Sequence, residues 1–196
     1  MADIFDHALE GSTPLQALEV EFSEPNAGWI SVRVKPLHEL FAISCSYIWD
    51  PFRAMIAWLE EIADGKDSST WRVNEEGRFG HLQFYGGGSS AVLEGDYLLH
   101  VQTDDRGLAR VRGARVKRRQ LVESFYSSFR AMTESPTYTP REWEHHPDYS
   151  KVEDIEDEEE YDRAKRSFPH TGRNLRTLTS DHIEAYLASS AEPSPE

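Results

Sequence analysis

Apolar and polar residues alternate near the start of the chain in the way that is typical of half-buried β-strands. In LEVEF, residues 18–22, three apolar side chains alternate with two glutamates. WISVRVK, residues 29–35, repeats the alternation after the turn sequence Glu-Pro-Asn-Ala-Gly, and Pro36 ends or kinks it. LFAISCSYI, residues 40–48, is rich in residues that favour strands. These segments predict three strands.

The period of the pattern changes to that of a helix in DPFRAMIAWLEEIADG, residues 50–65. Its apolar side chains recur every three or four positions and form one stripe, with charged side chains on the other side. Asp50 is a suitable N-cap, Pro51 suits the first helical position, and Gly65 can end the helix in a left-handed conformation. RRQLVESFYSSFRAMTE, residues 118–134, has the same period. The sequence therefore predicts two amphipathic helices.

Several short strands with Gly-bearing turns are predicted between the two helices. They are WRV at 71–73, FGHLQFY at 79–85, YLLHVQT at 97–103 and LARVRGARVK at 108–117. Together with the earlier strands, they predict an α+β fold built on a bent antiparallel sheet of about six or seven strands. The first helix is expected after the third strand, and the second helix after the last strand.

The composition changes after the second predicted helix, so we expect a domain boundary there. Residues 1–134 are predicted to form the α+β core domain, and residues 135–196 an acidic C-terminal extension with 15 acidic and 7 basic residues. SDHIEAYLAS, residues 180–189, predicts a short helix within this extension, with Ser180 as its N-cap.

The formal net charge of −14 at pH 7 restricts the classes of partner. Such a field repels nucleic acids and anionic membranes and attracts a basic protein. No run of apolar residues is long enough to cross a bilayer, and the acidic N-terminal sequence is unlike a secretory signal, which predicts a cytoplasmic protein. Cys45 is the only cysteine, so an intrachain disulfide is excluded, and its position in FAISCSYI predicts a buried core thiol.

Eight of the ten residues in EDIEDEEEYD, residues 153–162, are acidic. A calcium-binding loop requires acidic residues that alternate around a glycine, and the run has neither feature, so metal binding is not expected. The run is either a solvated acidic helix or linker, or a surface that binds a basic partner. The candidate partner-binding residues are Glu153, Asp154, Glu156, Asp157, Glu158, Glu159, Glu160 and Asp162.

GLARVRGARVKRRQ, residues 107–120, carries the opposite charge. Gly113 predicts a bulge or bend in this strand that could re-aim the arginine after it. Three interpretations stay open: a site for an anion or an acidic partner, a strand edge protected by charge, and a surface that the acidic tail of the same chain covers. The last would need apolar anchors such as Trp143 and Tyr149. The candidate contact residues are Arg110, Arg112, Arg115, Arg118 and Arg119.

No motif for catalysis or cofactor binding is present, since the sequence lacks a P-loop, G-x-S-x-G and H-E-x-x-H. His145 and His146 are adjacent and point apart on an extended chain, so we expect no metal site. The sequence therefore predicts a non-catalytic protein-binding module without a cofactor. Two alternatives stay open. One is an anion- or small-ligand-binding domain, or an enzyme, that uses the Arg-rich strand with His100. The other is a structural protein that assembles, for example as a homodimer, through an edge strand.

Three segments of the chain resemble a group of small bacterial proteins. They are DPFRAMIAWLEEIADG with the downstream EEGR, RRQLVESFYSSFRAM followed by REWE, and LRTLTSDHIEAYL. In size, acidity and α+β composition, the chain is similar to immunity proteins that are encoded beside polymorphic toxins, over about residues 48–187. The resemblance implies an immunity-type inhibitor whose acidic surface blocks the active site of a basic partner such as a toxin. It carries over no site residue.

Overall fold

The computed structural model describes residues 18–36, 41–86, 96–103, 109–143 and 174–189. Within these ranges the chain forms seven strands, four helices and two short 3₁₀ turns. The strands are β1 (Leu18–Phe22), β2 (Trp29–Pro36), β3 (Phe41–Ser46), β4 (Ser68–Asn74), β5 (Phe79–Tyr85), β6 (Asp96–Thr103) and β7 (Ala109–Val116). The helices are α1 (Phe52–Ala63), α2 (Arg118–Glu134), α3 (Pro140–Trp143) and α4 (Asp181–Ala188). The 3₁₀ turns are Tyr47–Trp49 and Leu175–Thr177.

The strands form two antiparallel sheets, so the α+β class is confirmed and the prediction of one bent sheet is wrong. β1, β2 and β3 form a three-stranded sheet, and β4 to β7 form a four-stranded sheet, each in chain order. β3 therefore lies at the edge of its sheet. At that edge the Glu75 carboxylate accepts a hydrogen bond from the Ser44 N–H at 3.1 Å, and the Glu76 carboxylate accepts one from the Ser46 hydroxyl. Side chains from the β4–β5 turn thus occupy the place of a neighbouring strand.

The alternation that predicts the first strands is confirmed by burial. Ile30, Val32 and Val34 of β2 are fully buried, and the positions between them are more exposed. The third strand is shorter than predicted, because it ends at Ser46 instead of reaching Ile48. The Ser46 hydroxyl accepts a hydrogen bond from the Ile48 N–H at 3.2 Å, which starts the 3₁₀ turn. This early end exposes the residues of the turn.

α1 confirms the predicted amphipathic helix, but it begins one residue later than predicted, with Pro51 at its N-cap instead of Asp50. The Asp50 carboxylate still accepts a hydrogen bond from the Phe52 N–H at 3.0 Å and so satisfies one N–H of the first turn. Gly65 has a φ of +86° and ends the helix in the left-handed region. α2 spans the residues that the sequence predicts, Arg118–Glu134.

One hydrophobic core contains side chains from both sheets and from α1 and α2. The Phe22 ring of β1 lies 6.2 Å from Phe52 of α1 and 5.7 Å from Phe129 of α2, measured between ring centroids. Trp58 of α1 stacks on Trp71 of β4 at 6.0 Å. Aromatic side chains of this size dominate the free energy of core packing. α1 therefore connects the two sheets through contacts to both.

Residues beyond the predicted boundary contribute to the same core. The buried apolar side chains there are Tyr138, Trp143, Leu175 and Ile183. The Trp143 ring lies 5.2 Å from the Phe52 ring, and the Leu175 N–H donates to the Tyr138 hydroxyl at 3.3 Å. The chain segments that flank residues 144–173 are thus in contact with each other. The division into a core domain and an extension stays a prediction.

α4 confirms the short helix predicted near residues 180–189 and its N-cap. The Ser180 hydroxyl accepts a hydrogen bond from the Ile183 N–H at 3.1 Å and donates to the Glu60 carboxylate of α1 at 2.6 Å. The Ser180 N–H donates to the Tyr126 hydroxyl of α2 at 3.1 Å. The helix is therefore held on α1 and α2 by polar contacts around the buried Ile183 side chain.

Candidate functional site

An open groove lies where the 3₁₀ turn Tyr47–Trp49 and the start of α1 meet the ends of β4 and β5. Its volume is about 920 Å³, which is in the range of ligand-binding clefts. We refer to this surface as the aromatic groove. Its lining includes the apolar side chains of Ile48, Trp49 and Phe79 and the polar side chains of Asp50, Arg72 and His81.

Three large apolar side chains of the aromatic groove are exposed to solvent. Ile48, Trp49 and Phe79 keep 52%, 58% and 53% of their surface accessible. Ile48 and Trp49 are exposed because β3 ends at Ser46 and the turn after it buries none of its residues. Phe79 is exposed because it lies on the outer face of β5, opposite to the buried positions of that strand. Clusters of this kind are typical of protein-contact surfaces.

Arg72 of β4 and His81 of β5 form a polar pair in the groove and are direct partners in the strand register. The Arg72 Nε–H donates a hydrogen bond to His81 Nδ1 at 3.3 Å, which requires that Nδ1 carries no proton. Burial, and secondly the charge of Arg72, lower the pKa of His81. At neutral pH the pair therefore consists of a positive guanidinium and a neutral imidazole whose Nε2–H is a donor.

The charged groups of the groove differ in their remaining hydrogen-bonding capacity. The Asp50 carboxylate is engaged, because it accepts a hydrogen bond from the Phe52 N–H at the start of α1. The Arg72 guanidinium is exposed, and its bond to His81 uses only Nε. Within the described parts of the chain, its two terminal nitrogens have neither a hydrogen bond nor an ion pair. The groove therefore presents unused donors next to exposed apolar side chains.

The basic strand predicted as a contact site is β7, and its arginines do not share one face. β7 pairs with β6 one to one along its whole length, so the bulge predicted at Gly113 is wrong. Alternation along the regular strand places the backbone positions of Arg110 and Arg112 on one face and that of Arg115 on the other. The Arg115 guanidinium lies 6.0 Å from the centre of the Tyr97 ring. Contact of these arginines with an anion or the acidic tail stays a prediction.

Arg118 and Arg119, the other two predicted contact residues, donate to carbonyl groups at the ends of helices. Arg118 donates to the Ile62 carbonyl of α1 at 3.0 Å and lies 5.0 Å from the centre of the Phe84 ring. Arg119 donates to three carbonyls at the C-terminal end of α4, including that of Tyr186 at 3.1 Å. Both guanidinium groups thus have a structural role at helix C-termini.

The acidic candidates at residues 153–162 lie outside the described residues, and so does most of the negative charge. The described ranges contain 16 acidic and 15 basic residues, against 35 and 21 in the whole chain. The other segments therefore contain the remaining 19 acidic and 6 basic residues. Residues 144–173, which also include His145, His146 and Tyr149, contain 10 of these acidic residues. Partner binding by the acidic run stays a prediction.

Cys45 and His100, two side chains considered for chemistry, are buried in the described fold. Cys45 is fully buried, as predicted, and burial, followed by the negative charges of Glu75 and Asp50, raises the pKa of its thiol. This shift opposes formation of a thiolate nucleophile. His100 is also buried and stacks on the Phe41 ring at 4.6 Å. Across the described ranges, no three His, Cys, Asp or Glu side chains form a group that could hold a metal ion.

None of the helices in the described ranges has the length and apolar character that are needed to cross a membrane.

The sequence pattern does not identify Ile48, Trp49 and Phe79 as a site. Residue type gives no signal, because Trp71 and Trp143 are equally apolar and are fully buried. The alternation in FGHLQFY could have identified Phe79, since it places this ring on the face opposite to the core side chains of the strand. Exposure of Ile48 and Trp49 depends on the early end of β3, which no local pattern predicts.

The aromatic groove is the candidate site that the described residues support best. It combines exposed apolar side chains, unused hydrogen-bond donors and open access to solvent. The resemblance of the sequence to immunity proteins stays a prediction, because no protein-family model, curated protein or solved structure matches the chain.

Proposed function

We propose that this protein is a non-catalytic protein-binding module whose contact surface is the aromatic groove. The observation that carries the proposal is the exposure of Ile48, Trp49 and Phe79 around one open groove. Full burial of a large apolar side chain is favourable by about 1.5–3 kcal/mol. Contact of all three side chains with water is therefore costly in the free protein, and a partner that covers them gains much of that free energy.

The shape of the groove favours a protein over a small molecule as the partner. Sites for small molecules enclose most of the ligand surface. Here Ile48, Trp49 and Phe79 are about half exposed around an open cleft. A protruding partner surface can cover such side chains from outside and exclude water around them, as in protein interfaces.

We further propose that the partner is basic, as the net charge of −14 predicts. Support comes from the position of the acidic residues in the chain, because residues 144–173 contain 10 of them. On either side of this segment, the described residues Tyr138 and Leu175 are hydrogen-bonded to each other. An immunity-type inhibitor of a basic toxin is the specific form of this function that the sequence resemblance implies.

Affinity capture with matched variants tests the proposed contact surface. The immobilised full chain is exposed to an extract of its own cell type, and bound proteins are quantified by mass spectrometry. Wild type is compared with Trp49→Ala/Phe79→Ala and with Trp29→Ala. Trp29 is a matched control, because its side chain is 38% exposed and does not line the groove. We expect a partner that wild type and the control retain and the double variant loses; identical capture by all three proteins would contradict the proposal.

The basic character of the partner is tested separately by its association rate. If negative charge attracts the partner, the rate should fall as the salt concentration rises from about 0.05 to 0.5 M, because screening shortens the range of the attraction. A rate that does not respond to salt would argue against a basic partner and leave the groove as the contact surface.

A further inference from the structure

We propose that the aromatic groove binds a peptide segment that carries a carboxylate next to an aromatic or large aliphatic side chain. This inference rests on the proposed function and adds the chemistry of the segment that occupies the groove. Two sets of observations support it: the apolar side chains that line the groove, and the hydrogen-bonding groups that lie among them.

The two largest exposed apolar side chains of the lining come from different elements. Trp49 comes from the 3₁₀ turn after β3, and Phe79 is the first residue of β5. The other apolar residues of the lining are Ile48, Pro51, Ala54 and Val73, of which Pro51 and Val73 are buried. An inserted aromatic or aliphatic side chain can therefore contact apolar groups of both elements, and its burial removes their exposed surface from water.

Two side chains of the groove, Arg72 and His81, offer hydrogen-bond donors. The Arg72 guanidinium keeps two terminal nitrogens without a partner in the described ranges, since only its Nε bonds to His81. The same bond fixes the His81 tautomer in which Nε2 carries the proton. A carboxylate has two acceptor oxygens that match the planar fork of a guanidinium. It is the group on a peptide that these donors would bind most strongly.

The charged groups of the lining are Asp50 and Arg72, and they differ in what they can still bind. The Asp50 carboxylate already accepts the Phe52 N–H at the start of α1. A lysine or arginine inserted beside Arg72 would be repelled by its guanidinium group, whereas a carboxylate there would be attracted. A partner that is basic as a whole can still present an acidic segment. Its net charge governs the long-range encounter, whereas the groove selects the segment in contact.

Three peptides that differ at one position test the inference on the unmodified full chain. They are acetyl-Gly-Phe-Asp-Leu-Gly-amide and the versions with Asn or Lys in place of Asp. Binding is measured by isothermal titration calorimetry, and in proteins that retain Trp49 also by the chemical shift of its indole N–H. We expect the Asp peptide to bind about tenfold more tightly than the Asn peptide, because only the former makes charge-assisted hydrogen bonds. The Lys peptide should bind most weakly.

Substitution of Arg72 then tests the origin of this preference. Arg72→Gln should reduce the preference for Asp over Asn to less than about twofold. Arg72→Lys should retain only part of it, because an ammonium group lacks the planar fork. Arg33→Gln is the matched control, since Arg33 is an exposed arginine of β2 that does not line the groove. A preference that survives in Arg72→Gln overturns the inference.

The outcomes separate this inference from the proposed function. If wild type binds the three peptides equally and Trp49→Ala/Phe79→Ala binds none of them, the carboxylate preference is overturned. The groove then remains a contact surface. Absence of binding by the Asp peptide at millimolar concentration, or tighter binding of the Lys peptide, also overturns the inference. A Trp49 signal that shifts with the concentration of the protein itself assigns the groove to a second copy of the chain and overturns it as well. Unchanged partner capture by the double variant overturns the proposed function.

Discussion

At the scale of single residues, arginine side chains cap three helices that have no basic residue in their own last turn. Arg118 donates to the end of α1, Arg119 to the end of α4, and Arg176 to the Thr133 carbonyl near the end of α2. Their guanidinium groups also lie 5.0, 5.7 and 5.1 Å from the centres of aromatic rings. Positive charge is favourable at a helix C-terminus and over the face of a ring. These contacts therefore link separate elements and give the arginines a structural role.

Arg119→Ala is expected to lower the free energy of unfolding by about 1–3 kcal/mol, since its charge-assisted hydrogen bonds to the α4 carbonyls are lost. Arg119→Lys should recover only part of this loss, because an ammonium group cannot reach several carbonyls with a planar fork. Urea unfolding of the full chain measures both, with Arg33→Ala in β2 as the control. A loss no larger than that of the control would contradict the capping role.

Glu75 is expected to make the stability of the fold depend on pH. Burial raises the pKa of its carboxyl group, despite the opposing hydrogen bond from the Ser44 N–H. The folded state therefore holds this proton more tightly than the unfolded chain does. The resulting stabilisation is present at low pH and is lost as the pH rises from the ordinary carboxyl pKa through the raised one.

The comparison of wild type with Glu75→Gln isolates this effect, because the amide does not titrate in the same range. The free energy of unfolding of wild type, relative to that of the variant, should decrease as the pH rises above the ordinary carboxyl pKa of about 4.3. Urea unfolding at several pH values measures the difference. A difference that is constant with pH, or that increases, would show that burial does not control this carboxyl group.

At the scale of elements, local patterns predict the strands and helices, whereas the pairing of the strands depends on distant residues. α2 matches the prediction because its apolar stripe keeps the helical period over its full length. The two-sheet arrangement has no such local signal, since the carboxylates of Glu75 and Glu76 bond to β3 residues that are 31 and 30 positions away. The aromatic groove contains one residue whose exposure a local pattern predicts and one whose exposure it does not. The outward face of Phe79 follows from alternation, whereas exposure of Trp49 follows from the end of β3.

Trp143 is expected to hold α3 on the main core, because it is fully buried and its ring lies 5.2 Å from the Phe52 ring. Trp143→Ala should lower the free energy of unfolding by about 3–5 kcal/mol. Trp49→Ala truncates an exposed tryptophan and should change the free energy of unfolding by less than about 0.5 kcal/mol. Urea unfolding of both variants measures the two changes. Equally small losses would indicate that the residues after 134 form a separate extension, as the sequence predicts.

At the scale of the whole molecule, a nearly neutral described fold is joined to strongly acidic segments. Only 16 of the 35 acidic residues lie in the described ranges, together with 15 of the 21 basic residues. Long-range attraction of a basic partner would therefore depend on the acidic segments, whereas the short-range contact is assigned to the aromatic groove. Neutralising the acidic residues should slow association, and truncating the groove side chains should speed dissociation.

The dissociation constant of the captured partner is the most direct test of the claim that the aromatic groove is the contact surface. Truncation of a central aromatic side chain in an interface typically costs about 2 kcal/mol or more. We predict that Trp49→Ala/Phe79→Ala, with an unchanged folded spectrum, binds the partner at least about 100-fold more weakly than wild type. Trp29→Ala should change the constant by less than about threefold. Equal affinity of wild type and the double variant would contradict the claim.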